Sequence, residues 1–495
     1  MERIIYVPFD QLNVAAGAMK IADKATDHIV LVESQRMVTA RNWHKQRLLF
    51  ILSSARHFAK ELTEVGWNVT YLKSATTIDG LHDIKQKYPG SEVLCATPNS
   101  FRLKESLTQF GVTFVENDFF LTPTDIFTRW ASEQKTFTME NFYRTQRKRL
   151  AILMDGNQPS GGSWNYDAEN RLPPPKVHDW GNPLDFVFDD IDEGVISELS
   201  DEVWGKIDTK YWGTTRDEAL TQMAHFFTNH FKEFGPYEDA MPGESWSAHH
   251  SLLSPYLNNG LLHASEVVDA ALERYQQGDN SISSCEGFIR QIIGWREYIN
   301  GMYWYLGDDF RDNNHLNANR KLLPLFHDPD KTQMNCVRSV VTDIQDRGWT
   351  HHIPRLMVLS NLALLTGVSP QAFLDWMREV FIDAADWVMV PNVIGMATHA
   401  DGGVLMTKPY AAGGAYISKM GQYCKSCTFD PKKRTGDHAC PFTTLYWDFL
   451  DRHATTFASN YRMFQQMGGL ARLSNIAEVK ERAVYVIEGL EAGRL

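Results

Sequence analysis

At about one domain per 150 residues, a chain of 495 residues is expected to hold two to four domains. Hydrophobic residues make up 43% and charged residues 22%, an ordinary globular composition that excludes a wholly disordered chain. The net charge of −12 excludes a protein that coats nucleic acid through its overall charge, although a local basic groove stays open.

Met1-Glu2-Arg3 leads into a short apolar run ending at Pro8, with no secretory signal. The most apolar later stretch, 356–368, is shorter than the roughly 20 residues of a membrane span. Six cysteines do not make a secreted disulfide framework. A soluble, cytoplasmic protein without membrane contact is expected.

In chain order, residues 4–7, 28–32, 68–72, 92–96 and 112–115 read as strands. Helical stretches lie between them, notably 43–65 and 99–110. Short apolar strands alternating with helices predict an α/β doubly wound parallel sheet. Ligands of such sheets sit beyond the strand carboxyl ends, which places the loop Phe9-Asp10-Gln11-Leu12 well. No GxGxxG follows the first strand, so a nicotinamide dinucleotide is a poor match.

Residues 155–215 carry glycines and the run Pro173-Pro174-Pro175, and residues 181–205 hold eight acids without Lys or Arg. This predicts a long surface connector with solvated acids. From Asp217 onward the pattern is helical: Leu220, Met223, Phe227 and Phe231 recur at spacings of three and four, as do Phe288, Ile292, Trp295, Ile299 and Tyr303. The expected organisation is an α/β domain over 1–130, a linker over 131–216 and a large all-α domain over 217–495.

Cys424-Lys425-Ser426-Cys427 is followed by Cys440-Pro441. A CxxC turn directs two thiolates at one metal, and Cys-Pro ends many ferredoxin motifs. Zinc would take Cys424, Cys427, Cys440 and His438, the reading that spacing alone favours. An iron–sulfur cluster would need a fourth thiolate from Cys95, Cys285 or Cys336. Lys419, Lys425, Lys432, Lys433 and Arg434 surround the motif. They either offset thiolate charge, face a polyanion, or are simply solvated.

Three helical segments carry further candidates. Ser251-Leu252-Leu253-Ser254-Pro255-Tyr256-Leu257 places hydroxyls at a helix start, which suits a phosphate or plain capping. Gly348-Trp349-Thr350-His351-His352, followed by Arg355, offers acid–base groups, with buried structural histidines as the competing reading. Asp383-Ala384-Ala385-Asp386-Trp387, running to Pro391-Asn392-Val393-Ile394-Gly395-Met396, presents carboxylates and an amide to a heterocycle edge, or caps helices.

The order SxLSPYL, Trp295-Arg296-Glu297, GWxHH…R and DW…N…G resembles the cryptochrome/photolyase superfamily over nearly the whole chain. Cys336, Cys424, Cys427 and Cys440-Pro441, with 391–396 and Ala400-Asp401-Gly402-Gly403, are similar to the iron–sulfur bacterial cryptochromes and photolyases, the prokaryotic (6-4) photolyase group. The resemblance implies FAD in the helical domain, near Ser251, Leu252, Ser254, Trp295, Asp383 and Asn392. Arg355 and Asp386 would pair beside its isoalloxazine. The four cysteines would hold a [4Fe–4S] cluster, overruling zinc. A 6,7-dimethyl-8-ribityllumazine antenna would contact Asp10 and Glu33. One departure is Met389, where the group is expected to carry an acid.

The implied activity is light-driven repair of (6-4) photoproducts in UV-damaged DNA, by electron transfer from excited reduced FAD with proton transfer from a histidine. His352, beside His351, is the expected acid, and Tyr410 lines the same pocket. Trp376 and Tyr416 are candidate electron carriers. Lys408, the cluster-loop cations and Arg144-Thr145-Gln146-Arg147-Lys148-Arg149 are candidate phosphate contacts. Mg2+ is an expected auxiliary ion near Asp239, and a monomer is expected. The rival readings are a blue-light photosensor of the same fold, a zinc-stapled DNA-binding protein, and cyclobutane-dimer repair.

Overall fold

The structure, a computed structural model, describes residues 3–495; Met1 and Glu2 of the leader reading lie outside the described residues. Five parallel strands form the N-terminal sheet: β1 (Arg3–Tyr6), β2 (His28–Ser34), β3 (Asn68–Ser74), β4 (Glu92–Ala96) and β5 (Thr113–Val115), ordered β3-β2-β1-β4-β5. Ile4 pairs with both His28 and Val93, so β1 is central. Every residue of β2 is buried, as expected where helices cover both faces. The strand order reverses at β1, and the loop from Phe9 leaves the sheet at that switch point.

The intervening helices are α1 (Lys45–Glu64), α2 (Thr77–Lys87) and α3 (Phe101–Phe110). The predicted starts of α1 and α3 fall two residues early, because His44 accepts from Gln46 N and Ser100 accepts from Leu103 N as caps. Helix α2 is one of the helical stretches expected between the strands, there without stated bounds; Ile78, Leu81 and Ile84 carry its spacing. It lies so close to the sheet that a Cβ on Gly80 would stand 2.6 Å from Val32 Cγ1.

The connector is less free than its composition suggests. Three of the eight acids in 181–205 are paired: Asp189 with His57 at 2.8 Å, Asp192 with Lys210 at 2.7 Å, and Glu198 with Arg56 and Lys73. These three fasten the helix Asp190–Glu198 to α1 and β3, while Asp185, Asp190, Glu193, Asp201 and Glu202 are exposed, as expected of a solvated acidic stretch. Arg147, listed above among phosphate candidates, is buried and donates to the Ile152, Leu153 and Trp164 carbonyls. It clasps the connector instead of facing solvent.

Beyond Thr215 the described residues are helical apart from isolated bridges. Three segments are π-helical: Arg290–Arg296, Pro354–Ser360 and Pro391–Ala397. Such segments widen a helix by one residue per turn and concentrate at functional sites. Apolar clusters cross the expected domain boundaries. Ile5, Val7 and Leu31 of the sheet share one cluster with Tyr256, Phe288 and Trp349. The two halves are also spliced through the backbone, since Leu12 N donates to Asn259 O at 2.9 Å. Gly260 ends the helix Ser254–Asn259 at φ 91°, where a Cβ would meet Leu12 N at 2.7 Å.

Candidate functional site

The helical site is organised by one ion pair. Arg355, in the first turn of the π segment Pro354–Ser360, makes a two-pronged contact with Asp383 at 2.9 and 3.0 Å. Fork geometry makes this kind of pair strong and directional. Asp383 Oδ2 also accepts from Ser254 Oγ at 2.7 Å, and Asn258 donates to the Asp383 carbonyl. Asp386, the expected partner of Arg355, instead lies 2.9 Å from Arg378 and 3.8 Å from Arg311. The reason is local. Asp383 stands in the turn before the helix Asp386–Val390, whereas Asp386 opens that helix and faces the neighbouring helix Pro370–Val380.

Leu252 holds φ 58°, a left-handed backbone that a leucine adopts only under surrounding constraint. It turns the chain so that Ser251 Oγ accepts from Leu253 N while Ser254 reaches Asp383. Trp349, 5.8 Å from the Arg355 guanidinium, leaves its indole Nε1 buried without a partner. Asn392 donates to the Val388 carbonyl one turn back, and Trp295 packs edge-on to Tyr298. An orphaned buried donor, a fixed cation and a strained hydroxyl-bearing turn fit an anionic, aromatic cofactor such as FAD. Met389 is buried and apolar, so it adds no charge to this site.

Beside the pair lie the histidines. His352 is 49% exposed in its side chain, and its Nε2 is 3.5 Å from Asp239 Oδ1. His351 is buried, and burial together with neighbouring His250 and His352 drives it well below the usual imidazole range. His250 is driven the same way, by burial first and then by His352 and His249. Of the three, only His352 has a carboxylate partner. Tyr410 and Tyr416 stand in the field of Asp239 and Arg171, and burial raises both phenols, Tyr416 to about 12. Asp239 thus lies between the Arg171 guanidinium, at 3.8 Å, and the His352 ring.

Trp376 donates to the Phe326 carbonyl and packs on Phe326, Phe373 and Phe381. Phe381 in turn lies 3.9 Å under the Arg355 guanidinium. Among the described residues no ring contact joins Trp376 to Tyr416, so the two do not form one contiguous path.

Cys336, Cys424, Cys427 and Cys440 line a single apolar pocket with Ile417, Tyr423 and Phe442. Cys336 comes from the first turn of the helix Asn335–Arg347, and Cys440 caps the helix Pro441–Arg452. Asn335 donates to Tyr423 O and Ser426 Oγ, tying the CxxC turn to the Cys336 helix. Burial and the other three cysteines push the Cys336 thiol well up, and burial pushes Cys440 to about 11. His438 is exposed and outside the pocket, whereas Cys336 lines it beside the three motif cysteines.

Thiolates about 2.3 Å from one tetrahedral zinc would lie about 3.8 Å apart. Among the described residues, the sets with ligand atoms all within 4.8 Å of one another are His250/His351/His352 and His57/Asp189/Asp192, not the cysteines. The four cysteines share one apolar pocket without meeting that spacing.

At the switch point of the sheet, Asp10 accepts from Asn99, and burial raises its carboxyl to about 6 against that bond. Glu33 sits at the end of β2, 3.0 Å from Arg56, and accepts from Tyr71, whose ring stacks on Phe9. Phe9, Tyr71 and Asp10 offer a ring and polar partners to a flat heterocycle. Sequence reasoning missed His250, Arg56, Tyr71 and Asn99. Only His250 carried a signal, as a second His-His step just before the SxLSPYL motif.

A parallel sheet joined to a helical region with these sites defines a photolyase-type flavoprotein architecture. Over its full length the chain matches the crystal structure of a bacterial class III photolyase from Agrobacterium tumefaciens, with a TM-score of 0.58, 15% identity and coverage of 99% of this chain and 98% of the other. Residues 5–212 match the family described as deoxyribodipyrimidine photo-lyase-related protein. The chain is 40% identical over 492 residues to the (6-4) photolyase of Agrobacterium fabrum, covering 96% of each. An uncharacterized protein of Acanthamoeba polyphaga mimivirus is 29% identical over 108 residues, 22% of this chain and 80% of its own length. The chain belongs to the (6-4) photolyase family. Among the described residues no helix is long and apolar enough to cross a membrane.

Proposed function

We propose that the protein repairs (6-4) photoproducts in UV-damaged DNA under blue light. The observation that carries this reading is His352, half-exposed at the pocket mouth and held by Asp239, behind which the Arg355–Asp383 pair lies buried. The kinship to a (6-4) photolyase supports it.

Bound FAD, fully reduced, supplies the light-driven electron. Arg355 holds positive charge beside it, and Asp383 fixes that guanidinium while engaging Ser254. A lesion within a duplex must be flipped out, and damage lowers the unstacking cost. Lys408 and the exposed Lys419, Lys425, Lys432 and Lys433 neutralise phosphates, while Tyr410 lines the pocket. Repair of this lesion returns a hydroxyl as well as breaking a bond. His352 gives its Nε2 proton to the departing hydroxyl oxygen and recovers it when the base is restored. Cys336, Cys424, Cys427 and Cys440 would hold a [4Fe–4S] cluster, which would link helices 335–347 and 441–452. Asp10, Glu33 and Tyr71 would hold the lumazine antenna, and Asp239 would serve an auxiliary Mg2+.

The test is blue-light turnover of a defined (6-4) oligonucleotide by reduced protein, with a dark control and a cyclobutane-dimer oligonucleotide alongside. The expected result is light-dependent loss of the (6-4) lesion alone, abolished in His352→Ala. Intact lesions in protein that binds the DNA and holds reduced FAD would refute the reading and point to a photosensor.

A further inference from the structure

The turn ahead of Ser251 presents a histidine that the reaction above leaves unused. His249 and His250 lie between Ala248 and Leu252, both left-handed at φ 45° and 58°. Neither is glycine, so the surrounding structure must enforce this shape, and such outliers point to function. The shape aims the His250 ring into the pocket. It stacks on His351, with centroids 4.3 Å apart and planes 22° from parallel, and meets His352 edge-on at 5.5 Å. One nitrogen from each of the three rings lies within 4.8 Å of the others.

His250 Nε2 is buried without a hydrogen-bond partner, while the ring donates to the Glu238 backbone carbonyl. A neutral imidazole that donates from one nitrogen carries a lone pair on the other. The next residue, Asp239, holds His352. The Glu238-Asp239 step therefore positions both rings at once. A metal ion is a poor occupant of this trio. Imidazole lone pairs lie in the ring plane, so two rings stacked nearly parallel do not converge on one ion.

We propose that His250 is the relay base of this pocket, exchanging the single transferable proton with His352 through its free Nε2. The inference rests on the reading of His352 as the acid. The two rings are not in direct hydrogen-bond contact, so the step runs through one water: an N–H bond of His352 breaks as an O–H bond forms on the water, another O–H bond of that water breaks as an N–H bond forms at His250 Nε2, and the reverse restores the starting state. No electrons move, and the proton count is unchanged. The groups facing His250 are His249, His351, His352, Arg355 and the Glu238 backbone, with Phe234 and Trp349 closing the sides. The cations and the dry walls hold it neutral between transfers. His250 acts through His352 and is a positioning residue, not one that touches the lesion.

The test is repair yield per absorbed photon from pH 6 to 9 in flavin-loaded wild-type, His250→Phe and His250→Ala protein. His250→Phe keeps a stacking ring without nitrogens. It is expected to retain flavin absorbance and lesion-DNA affinity while losing about a hundredfold in yield at pH 8, the low end of what a proton-transfer partner contributes. The loss should be smaller at pH 6, where bulk protons are plentiful. Added imidazole should restore His250→Ala but not His250→Phe, whose ring fills the space. Wild-type yield in His250→Phe at every pH would overturn the relay. So would an equal loss at every pH that imidazole leaves unchanged, since that is lost packing alone. Absence of repair by the wild-type protein would instead remove the underlying function, a separate outcome.

Discussion

The cysteine pocket and the histidine pocket are both buried, and burial drives their groups in opposite directions. It raises the thiols of Cys336 and Cys440 and lowers the imidazoles of His250 and His351. In each case the neutral form is favoured. For a metal-binding thiol the neutral form is the wrong one, so the cysteine box completes itself only with a cation that draws off the protons. In the proposed relay the neutral imidazole is the working form, so no cation is needed to draw off a proton. The same desolvation thus opposes metal binding at one site and suits proton exchange at the other.

The largest effect expected from breaking this contrast falls on the cysteines. Cys336→Ser removes the donor that links the helix Asn335–Arg347 to the CxxC turn. Iron content should fall to background, and the loss of stability should be several kcal/mol, about 3 or more, because metal binding at such a site is folding free energy. Iron quantitation and a thermal melt check both. Wild-type iron content in the variant would point to a different fourth ligand.

Next comes the pair that anchors the flavin-side pocket. Asp383→Asn leaves the buried Arg355 charge without its carboxylate, which costs about 3–5 kcal/mol when one partner of a buried pair is removed. Retention of FAD through gel filtration should drop sharply. Asp386→Asn, remote from Arg355, should leave FAD retention near wild type. The reverse ranking would restore the Arg355–Asp386 pairing first expected from sequence.

The smallest effect concerns pH. His178, His249, His230 and His225 form a hydrogen-bonded chain with N···N distances of 2.8, 3.1 and 3.2 Å. Burial lowers His249 to about 3 and His230 to about 4, from an ordinary 6.5. Groups depressed on folding contribute stability that is complete above pH 6.5 and lost as pH falls toward 4. The melting temperature should therefore decline through that window, and His249→Gln should flatten the decline. An equal slope in the variant would assign the acid sensitivity to other groups.

Much of the sheet was legible because a strand buried on both faces writes itself as a continuous apolar run: residues 92–96 match β4 residue for residue. The helical stripe Leu220, Met223 and Phe227 likewise marks the helix Arg216–Asn229. Only the bounds of helix α2 escaped, because it is short and interrupted by Gly80, whose lack of a side chain is what lets it approach Val32. In the site, the adjacent His351-His352 and the CxxC step were readable from spacing. Pairings across sequence were not. Nothing in the order of Asp383 and Asp386 says which one faces Arg355, since three residues at a helix start turn a side chain to the other side. Three acids of the connector, Asp189, Asp192 and Glu198, departed from the solvated reading for the same reason. A charge run says nothing of the His57, Lys210 and Arg56 that wait for it elsewhere in the chain.

The splice between Leu12 and Asn259, with apolar clusters running across it, bears on how the chain can be divided. Sheet and helical region are not beads on a string, and cutting between them would bare an apolar face on each half. Expressed alone, either piece is expected to be sticky and poorly folded. A tolerant place for an inserted tag or a protease nick is instead the stretch around 172–187, where Leu172, Val177 and Val187 already lie open to water. A nick there would leave both halves held together, and the protein would migrate as one particle until denatured.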